Sequence, residues 1–537
     1  MRTSLGIPYA TAARFAAPRP ITFPAASVDS SHFGAAAPQQ LDSPLGDIVP
    51  GMKVLDTDED SCLTLNVWAP TSGTPLPVLV WFHGGSFVMG ASSQPVYDGT
   101  LLATEQQVVV VSANYRLGAF GFLDARSFGG VANCGVRDAV CALEWIRDNI
   151  ASFGGDPTRV VAFGESAGGG LLLHALASPS ARGLLAGAII QSGATAATLD
   201  EARAALVLEA VVKEAGVGDA AGLRDLSADA LVEAQSTAMV SLLGTVGMMP
   251  FHPMVDGDVV PETPAAALAR GAAANVALVA GTTADEMRLF VDSSSSPPPR
   301  DKVVRRAARY LGVDDAAAEG IVAAYERSLA TDDTHEIWRA LFGDNEMQVP
   351  CRAVLEAHAS HGPTYTYCFT WESPTVGACH GIDIPFPFGN FVDGWDTFVG
   401  IDDDGRALSS STKLPNGNGM SIPWHAPTVV LCRRRCASRG PASPAPATPV
   451  GRSTPRRVSS AARFTISSAT RSSAACPNAR RRAVPVARAR ARLCRSSPRA
   501  HRARRLRTDA RSSRPATGRV PRPRPSRATC RAVGRCA

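Results

Sequence analysis

No apolar stretch in these 537 residues approaches the roughly 18 that a membrane-spanning helix needs. The opening MRTSLGIPYATAARFAAPRP has no continuous apolar core of the kind an export signal carries. The two absences point to a soluble chain, expected in the cytoplasm and with no membrane partner. C-x-x-C spacing is also missing: Cys62, Cys134, Cys141, Cys351, Cys368 and Cys379 stand alone, and six more Cys lie beyond residue 431. That excludes zinc and dithiol redox chemistry as readings and leaves buried thiols with no required disulfide and no metal. No internal repeat is visible, which removes solenoids and propellers. From 432 to 537 there is no Lys and a single acid, Asp509, against 29 Arg, a net charge of +28. Residues 1–431 hold 25 basic and 47 acidic residues, a net −22, so the overall +6 describes neither part.

Apolar periodicity continues to about Trp424 and then stops. Pro, Ser, Ala and Arg take over, and such a segment cannot bury enough surface to offset the entropy of ordering it. The expected organisation is therefore one domain over 1–424 and a disordered tail over 425–537. A basic arm for nucleic acid commonly mixes Lys with Arg and interleaves aromatic residues for stacking. This tail does neither, so no specific nucleic-acid partner is expected. Its bias is that of GC-rich codons read out of register.

What the first part does hold is a series of short apolar runs with helical stretches between them. PVLVWF (77–82), VVVVSANY (108–115), VVAF (160–163), AIIQS (188–192), VALVAG (276–281) and TYTYCFTW (364–371) are apolar almost throughout rather than alternating. Strands of that kind are covered on both faces, which predicts an α/β fold with a mostly parallel sheet between two helical layers. Helices are expected over 135–153, where Val136, Val140, Leu143 and Ile146 recur at helical spacing, and over 199–216 and 227–243. Ligands of such a sheet bind beyond the carboxyl ends of its strands, so the residues just after each run carry the functional signal.

VVAF runs into GESAGGG and then LLLHAL, which places Ser166 on a tight strand-to-helix turn with small neighbours on both sides. A turn of this kind strains its central residue and exposes its hydroxyl. By itself Gly-x-Ser-x-Gly also arises by chance in a glycine-rich chain; its neighbours decide. VWF is followed by His83, Gly84, Gly85 and Ser86, a glycine pair whose backbone N–H groups can face an oxyanion, with the N–H of Ala167 as a third donor. Beyond VALVAG come Asp285 and Glu286, and either could be the acid. Beyond TYTYCFTW comes His380 in a glycine-flanked loop. Ser, acid, His is the chain order of catalytic triads on the α/β-hydrolase sheet. His335 falls in a predicted helix and His358 and His361 at a helix end, so these are expected to be surface or capping residues, as is His425 beyond the domain. Asp383 reads as structural, and Phe386 and Phe388 as core.

With GIPYATAARFAAP, EDSCLTLNVWAP, PVLVWFHGGSFVMG, NYRLGAFGFL, NCGVRDAVCALEWIRDNIASFGGDPTRVVAFGESAGG, FHPMVDGDVVPETP, GTTADEMRLF and CHGIDIPFPFG side by side, the chain resembles the type B carboxylesterases, the group that includes the cholinesterases. The resemblance runs from about Gly6 to Gly389. It implies a hydrolase of small-molecule carboxylic esters that needs no cofactor and passes through an acyl-enzyme. It implies Ser166 as nucleophile, Glu286 as the acid, His380 as the base, the N–H groups of Gly84, Gly85 and Ala167 as oxyanion donors, and Ser192 as support for the triad.

The chain also departs from that family. No aromatic residue lies in 46–60, where cholinesterases carry a Trp for quaternary ammonium groups, so choline esters are not expected substrates. No Cys precedes Cys62 to pair with it. The family's first strands are expected to be missing or cut short, and the helices expected after LPNGNGMSIPW are replaced by Arg-rich sequence. Two rival readings remain: a catalytically impaired hydrolase-fold binding protein, which the intact Ser, Glu, His and HGG argue against, and a nucleic-acid binder driven by the tail.

Overall fold

The computed structural model describes residues 1–400 apart from 23–29, 42–53, 55, 195–197, 292–295, 393 and 395–397. The tail expected over 425–537, with His425, and most of the aromatic-free stretch at 46–60 lie outside the described residues. Eight strands form the main sheet: β1 (Arg2–Pro8), β2 (Thr64–Ala69), β3 (Leu76–Phe82), β4 (Val109–Ala113), β5 (Gly155–Glu165), β6 (Gly187–Gln191), β7 (Ala277–Thr283) and β8 (Thr364–Phe369). Their spatial order is β1-β2-β4-β3-β5-β6-β7-β8. From β4 to β8 every pair is parallel, while β1 and β2 add antiparallel strands at one edge.

Side chains alternate across this sheet into two separate cores, which is why its strands read as unbroken apolar runs. Val78, Val80 and Phe82 of β3 face one core with Val109, Val111, Val160 and Ala162. Leu79 and Trp81 face the other with Val110, Val161 and Phe163. The first core is closed by α1 (Cys134–Asn149), α2 (Ala167–Ala177), α3 (Glu201–Ala215) and α4 (Ala228–Leu242). The second is closed by the chain around Phe386 and Phe388, whose rings pack near Phe369, Trp81 and Phe163. A third cluster joins α5 (Arg300–Leu311), α6 (Asp315–Leu329) and α7 (Thr334–Gly343), after which α8 (Val349–His358) returns to the sheet. Among the described residues no helix is long and apolar enough to cross a membrane.

β1 begins at Arg2 and pairs with β2 in antiparallel register from Arg2 opposite Ala69 to Pro8 opposite Thr64. Neither strand is a continuous apolar run. Asn66 interrupts β2 with a buried amide that donates to Ser92 and Ser112 and accepts from the backbone of Gly6. One expectation needs correction: His335 and His358 are not surface residues, since both are buried. His358 sits between the Thr364 hydroxyl, 2.9 Å from Nδ1, and the Ala273 carbonyl, 3.2 Å from Nε2, and so ties α8 to the sheet. Five of the six described thiols are buried, and these five, Cys62 included, form no disulfide.

Candidate active site

The strands β3, β5, β6, β7 and β8 run in one direction, so the segments after them meet at one edge, and each holds one of the candidate residues. Ser166 comes directly after β5 and caps α2 with φ 54° and ψ −123°, a conformation that a non-glycine residue adopts only under restraint. The restraint is visible on both sides. Ser166 N–H donates to the Gln191 carbonyl at 2.8 Å, and its own carbonyl accepts from Gly170 N–H at 2.9 Å. A Cβ on Gly168 would lie 2.0 Å from the Phe82 carbonyl oxygen, so only glycine lets α2 start this close to the end of β3.

The loop after β3 folds against that turn. A Cβ on Gly84 would come within 3.3 Å of Ser166 Cβ, which places the glycine backbone directly beside the serine. Gly85 has φ 111°, and Ser86 and Phe87 come next at φ 55° and 62°. His83 Nδ1 lies 2.8 Å from the Gly84 carbonyl and donates to it, and the ring stacks on Tyr115 at 4.6 Å. Burial pushes the His83 imidazole down to about 4, so it stays neutral. In a trans peptide the N–H points away from the carbonyl, so turning the Gly84 oxygen toward His83 turns the Gly85 N–H the other way. Among the described residues, the N–H groups of Gly84, Gly85 and Ala167 donate to no protein acceptor.

Glu286 and His380, 94 positions apart, meet at 2.7 Å between Oε2 and Nδ1. The other carboxylate oxygen, Oε1, accepts from Ser192 Oγ at 2.7 Å and from Thr283 N–H at 2.6 Å, so the buried group is held at both ends. Asp285, the alternative acid, turns away: Arg339 Nε lies 2.9 Å from its Oδ1 and Arg288 3.6 Å from its Oδ2. Its own N–H donates to the Ala378 carbonyl and so anchors the loop that carries His380. The imidazole is about one-tenth exposed, with the Phe290 ring 5.6 Å away. Ser166 is partly exposed, and its hydroxyl has no hydrogen-bond partner among the described residues.

Beside His380 Nε2 lies a residue that sequence reasoning passed over. Glu165 Oε1 is 3.3 Å from it, buried and not aligned for a hydrogen bond. Burial pushes the Glu165 carboxyl well up, and Asp383 and Glu286 push the same way against the pull of His380. For His380 burial acts downward, but Glu165 beside Nε2 and the hydrogen bond that Nδ1 donates to Glu286 outweigh it and raise the imidazole. One proton decides both shifts: a protonated Glu165 withdraws its share of the lift on His380. The sequence did carry a signal. Val161, Phe163 and Glu165 alternate onto one face of β5, and on an otherwise apolar face a carboxyl stands out. Asp383 is fully buried behind them, near Gln191 Nε2 at 3.0 Å and the Tyr367 hydroxyl at 3.3 Å, as a structural residue would be. Phe386 and Phe388 are core.

Comparison with known proteins gives the arrangement a context. Residues 1–402 match the model of the carboxylesterase family. The chain is 36% identical over 443 residues to the para-nitrobenzyl esterase of Bacillus subtilis (strain 168), covering 78% of this chain and 88% of that one. It is 34% identical over 348 residues to cholinesterase 1 of Branchiostoma lanceolatum, covering 60% and 97%. Among solved structures it is similar to a thermophilic PNB esterase with a TM-score of 0.68 at 34% identity, over 76% of this chain and 84% of that one.

Proposed function

The chain belongs to the carboxylesterase family and is a carboxylic-ester hydrolase, and from that premise we propose that it works through an acyl-enzyme formed on Ser166 with His380 and Glu286. Ser166 Oγ attacks the ester carbonyl carbon while its proton passes to His380 Nε2. The oxygen that gains charge is received by the N–H groups of Gly84, Gly85 and Ala167. His380 then gives the proton to the departing alcohol oxygen as the carbon–oxygen bond breaks. Water repeats the cycle on the acyl-serine and releases the acid. Glu286 keeps the Nδ1 proton in place, so Nε2 has a lone pair to offer, and it balances the imidazolium when that forms. Burial keeps Glu165 protonated, which lets His380 be neutral and basic in the resting site.

The observation that carries this reading is the 2.7 Å contact between His380 Nδ1 and Glu286 Oε2 at the strand edge where Ser166 and three unbonded N–H groups also lie. The test uses p-nitrophenyl acetate, p-nitrobenzyl acetate and a fluorophosphonate label. The expected result is turnover of the esters and one phosphonate on Ser166, with Ser166→Ala reduced by about 10⁴ or more in kcat. Unchanged turnover in Ser166→Ala would refute the mechanism, and labelling without turnover would favour an impaired binding protein.

A further inference from the structure

The loop that presents Gly84 and Gly85 to Ser166 has a second side. Val88 N–H and Met89 N–H both donate to the Gly85 carbonyl at 3.0 Å, and a Cβ on Gly85 would strike the Met89 carbonyl and Met89 Cγ. Val88 and Met89 then form one wall of a groove of about 260 Å³. The facing wall is α4 and the turn after it, with Met239, Val240, Leu243 and Met248. The walls are tied together: Gln235 Oε1 of α4 accepts from Ala119 N–H at 2.7 Å, and Gly118 N–H donates to the Phe87 carbonyl at 2.7 Å. Gln235, Met239 and Leu243 recur at four-residue intervals along one helix face, so the apolar positions continue from the tie point outward.

Val88 belongs to the main core and Met89 and Met239 pack against it, but the outer side chains of the groove do not fill a core. Val240 is 70% exposed, Leu243 55% and Met248 50%, three large apolar residues in one place on a chain that buries most others. A cluster of this kind marks a surface meant to be covered, and its methionines suit an occupant of variable shape. The volume is below that of pockets that enclose a whole drug-sized ligand, roughly 300–1,000 Å³, but adequate for one chain of a molecule whose reacting end lies elsewhere. Farther out, a second groove carries Glu214, Asp229 and Glu233 on its lining, which disfavours an anionic end group.

We infer that this groove is the subsite for an uncharged, flexible apolar arm of the ester substrate, entering along the outer side of the Gly85–Met89 turn. The inference rests on the esterase mechanism above for where the reacting carbonyl sits. It makes Met239, Leu243 and Met248 specificity residues that never touch the reacting atoms.

The experiment runs two substrate series on the full chain: p-nitrophenyl esters from acetate to octanoate, which lengthen the acyl arm, and acetates of alcohols from ethanol to octanol, which lengthen the other. In one series kcat/KM should rise by about fourfold for each added methylene the groove takes up, the factor expected from burying one CH₂. Leu243→Asp and Met239→Asp should flatten that rise, so that kcat/KM for the longest ester of the series falls toward that for the shortest. Leu243 is exposed, so its variant keeps the fold even if Met239→Asp does not. A slope equal to wild type in Leu243→Asp and Met248→Asp would overturn the subsite while leaving the esterase reading intact. If no ester is turned over, the mechanism fails instead, and calorimetric titration of 1-octanol still decides the groove: binding lost in Leu243→Asp supports it, and equal binding refutes it.

Discussion

Gly168→Ala adds a single methyl group at the junction on which the site depends. The new Cβ would stand 2.0 Å from the Phe82 carbonyl oxygen, 2.6 Å from the His83 carbonyl oxygen and 2.7 Å from the Phe82 carbonyl carbon, whereas real Cβ contacts essentially never fall below 3.0 Å. The obstacle is backbone that cannot rotate aside. Phe82 is held in the sheet opposite both Ala113 and Gly164, so the start of α2 must retreat by about 1 Å. That retreat carries Ser166 and the Ala167 N–H away from Gly84 and Gly85, which stay with β3. A misplacement of about 1 Å costs on the order of 10²-fold in rate, while overpacking of this size costs about 1–3 kcal/mol of stability. Rate should therefore fall well beyond what lost folded protein explains. The assay is kcat on p-nitrophenyl acetate per site titrated with fluorophosphonate, together with Tm. Gly320→Ala in α6 is the matched control, because nothing lies within 4 Å of its added methyl; it should raise stability by up to about 1 kcal/mol with unchanged rate. Full turnover per titrated site in Gly168→Ala would refute the claim that this glycine sets the distance between nucleophile and oxyanion donors.

The same contacts set three further outcomes. Glu165→Gln replaces a carboxyl that burial pushes up to about 8 by an amide that is neutral at every pH; because the carboxyl is already uncharged where His380 gains its proton, the acid limb of the kcat/KM profile should stay in place, and a limb that moves downward would show that Glu165 carries a negative charge beside the imidazolium. Ser192→Ala takes one of two donors from Glu286 Oε1; a hydrogen bond to a charged group is worth about 1.5–3 kcal/mol, so kcat should drop by about ten- to a hundredfold with little change in KM, and Ser192→Thr should restore part of it. Burial pushes the thiols of Cys62 and Cys351 up to about 12, so iodoacetamide at pH 8 should leave both unmodified in native protein and alkylate them in urea, as read by peptide mass spectrometry; rapid native labelling of either would contradict their burial.

How far the sequence could be read depended on which interactions are local. The parallel strands are legible because each is sandwiched between two cores and its apolarity is continuous. β1 and β2 escape that search because they form the antiparallel edge, and because the polar centre of β2 is satisfied by Ser92 and Ser112, residues far along the chain. The serine turn is legible because the crowding that demands glycine at 164 comes from Gly168 and Gly169, a few residues on in the same short motif, although the glycine at 168 answers to Phe82 and His83 far back in the chain. The choice between Asp285 and Glu286 was different in kind. Both lie just past β7, and their spacing to every other candidate differs by one residue. What separates them is where α7 puts Arg339, which draws Asp285 outward, and where β6 puts Ser192, which receives Glu286 inward. Neither partner is near in sequence, so only resemblance to a family could favour Glu286 in advance. Glu165 illustrates the remaining case. Its position was in plain view beside Ser166, but its importance comes from burial against His380, Asp383 and Glu286, three groups brought in by two later loops. A carboxyl's place in a motif tells which strand carries it; its charge at neutral pH is decided by what the rest of the fold packs around it.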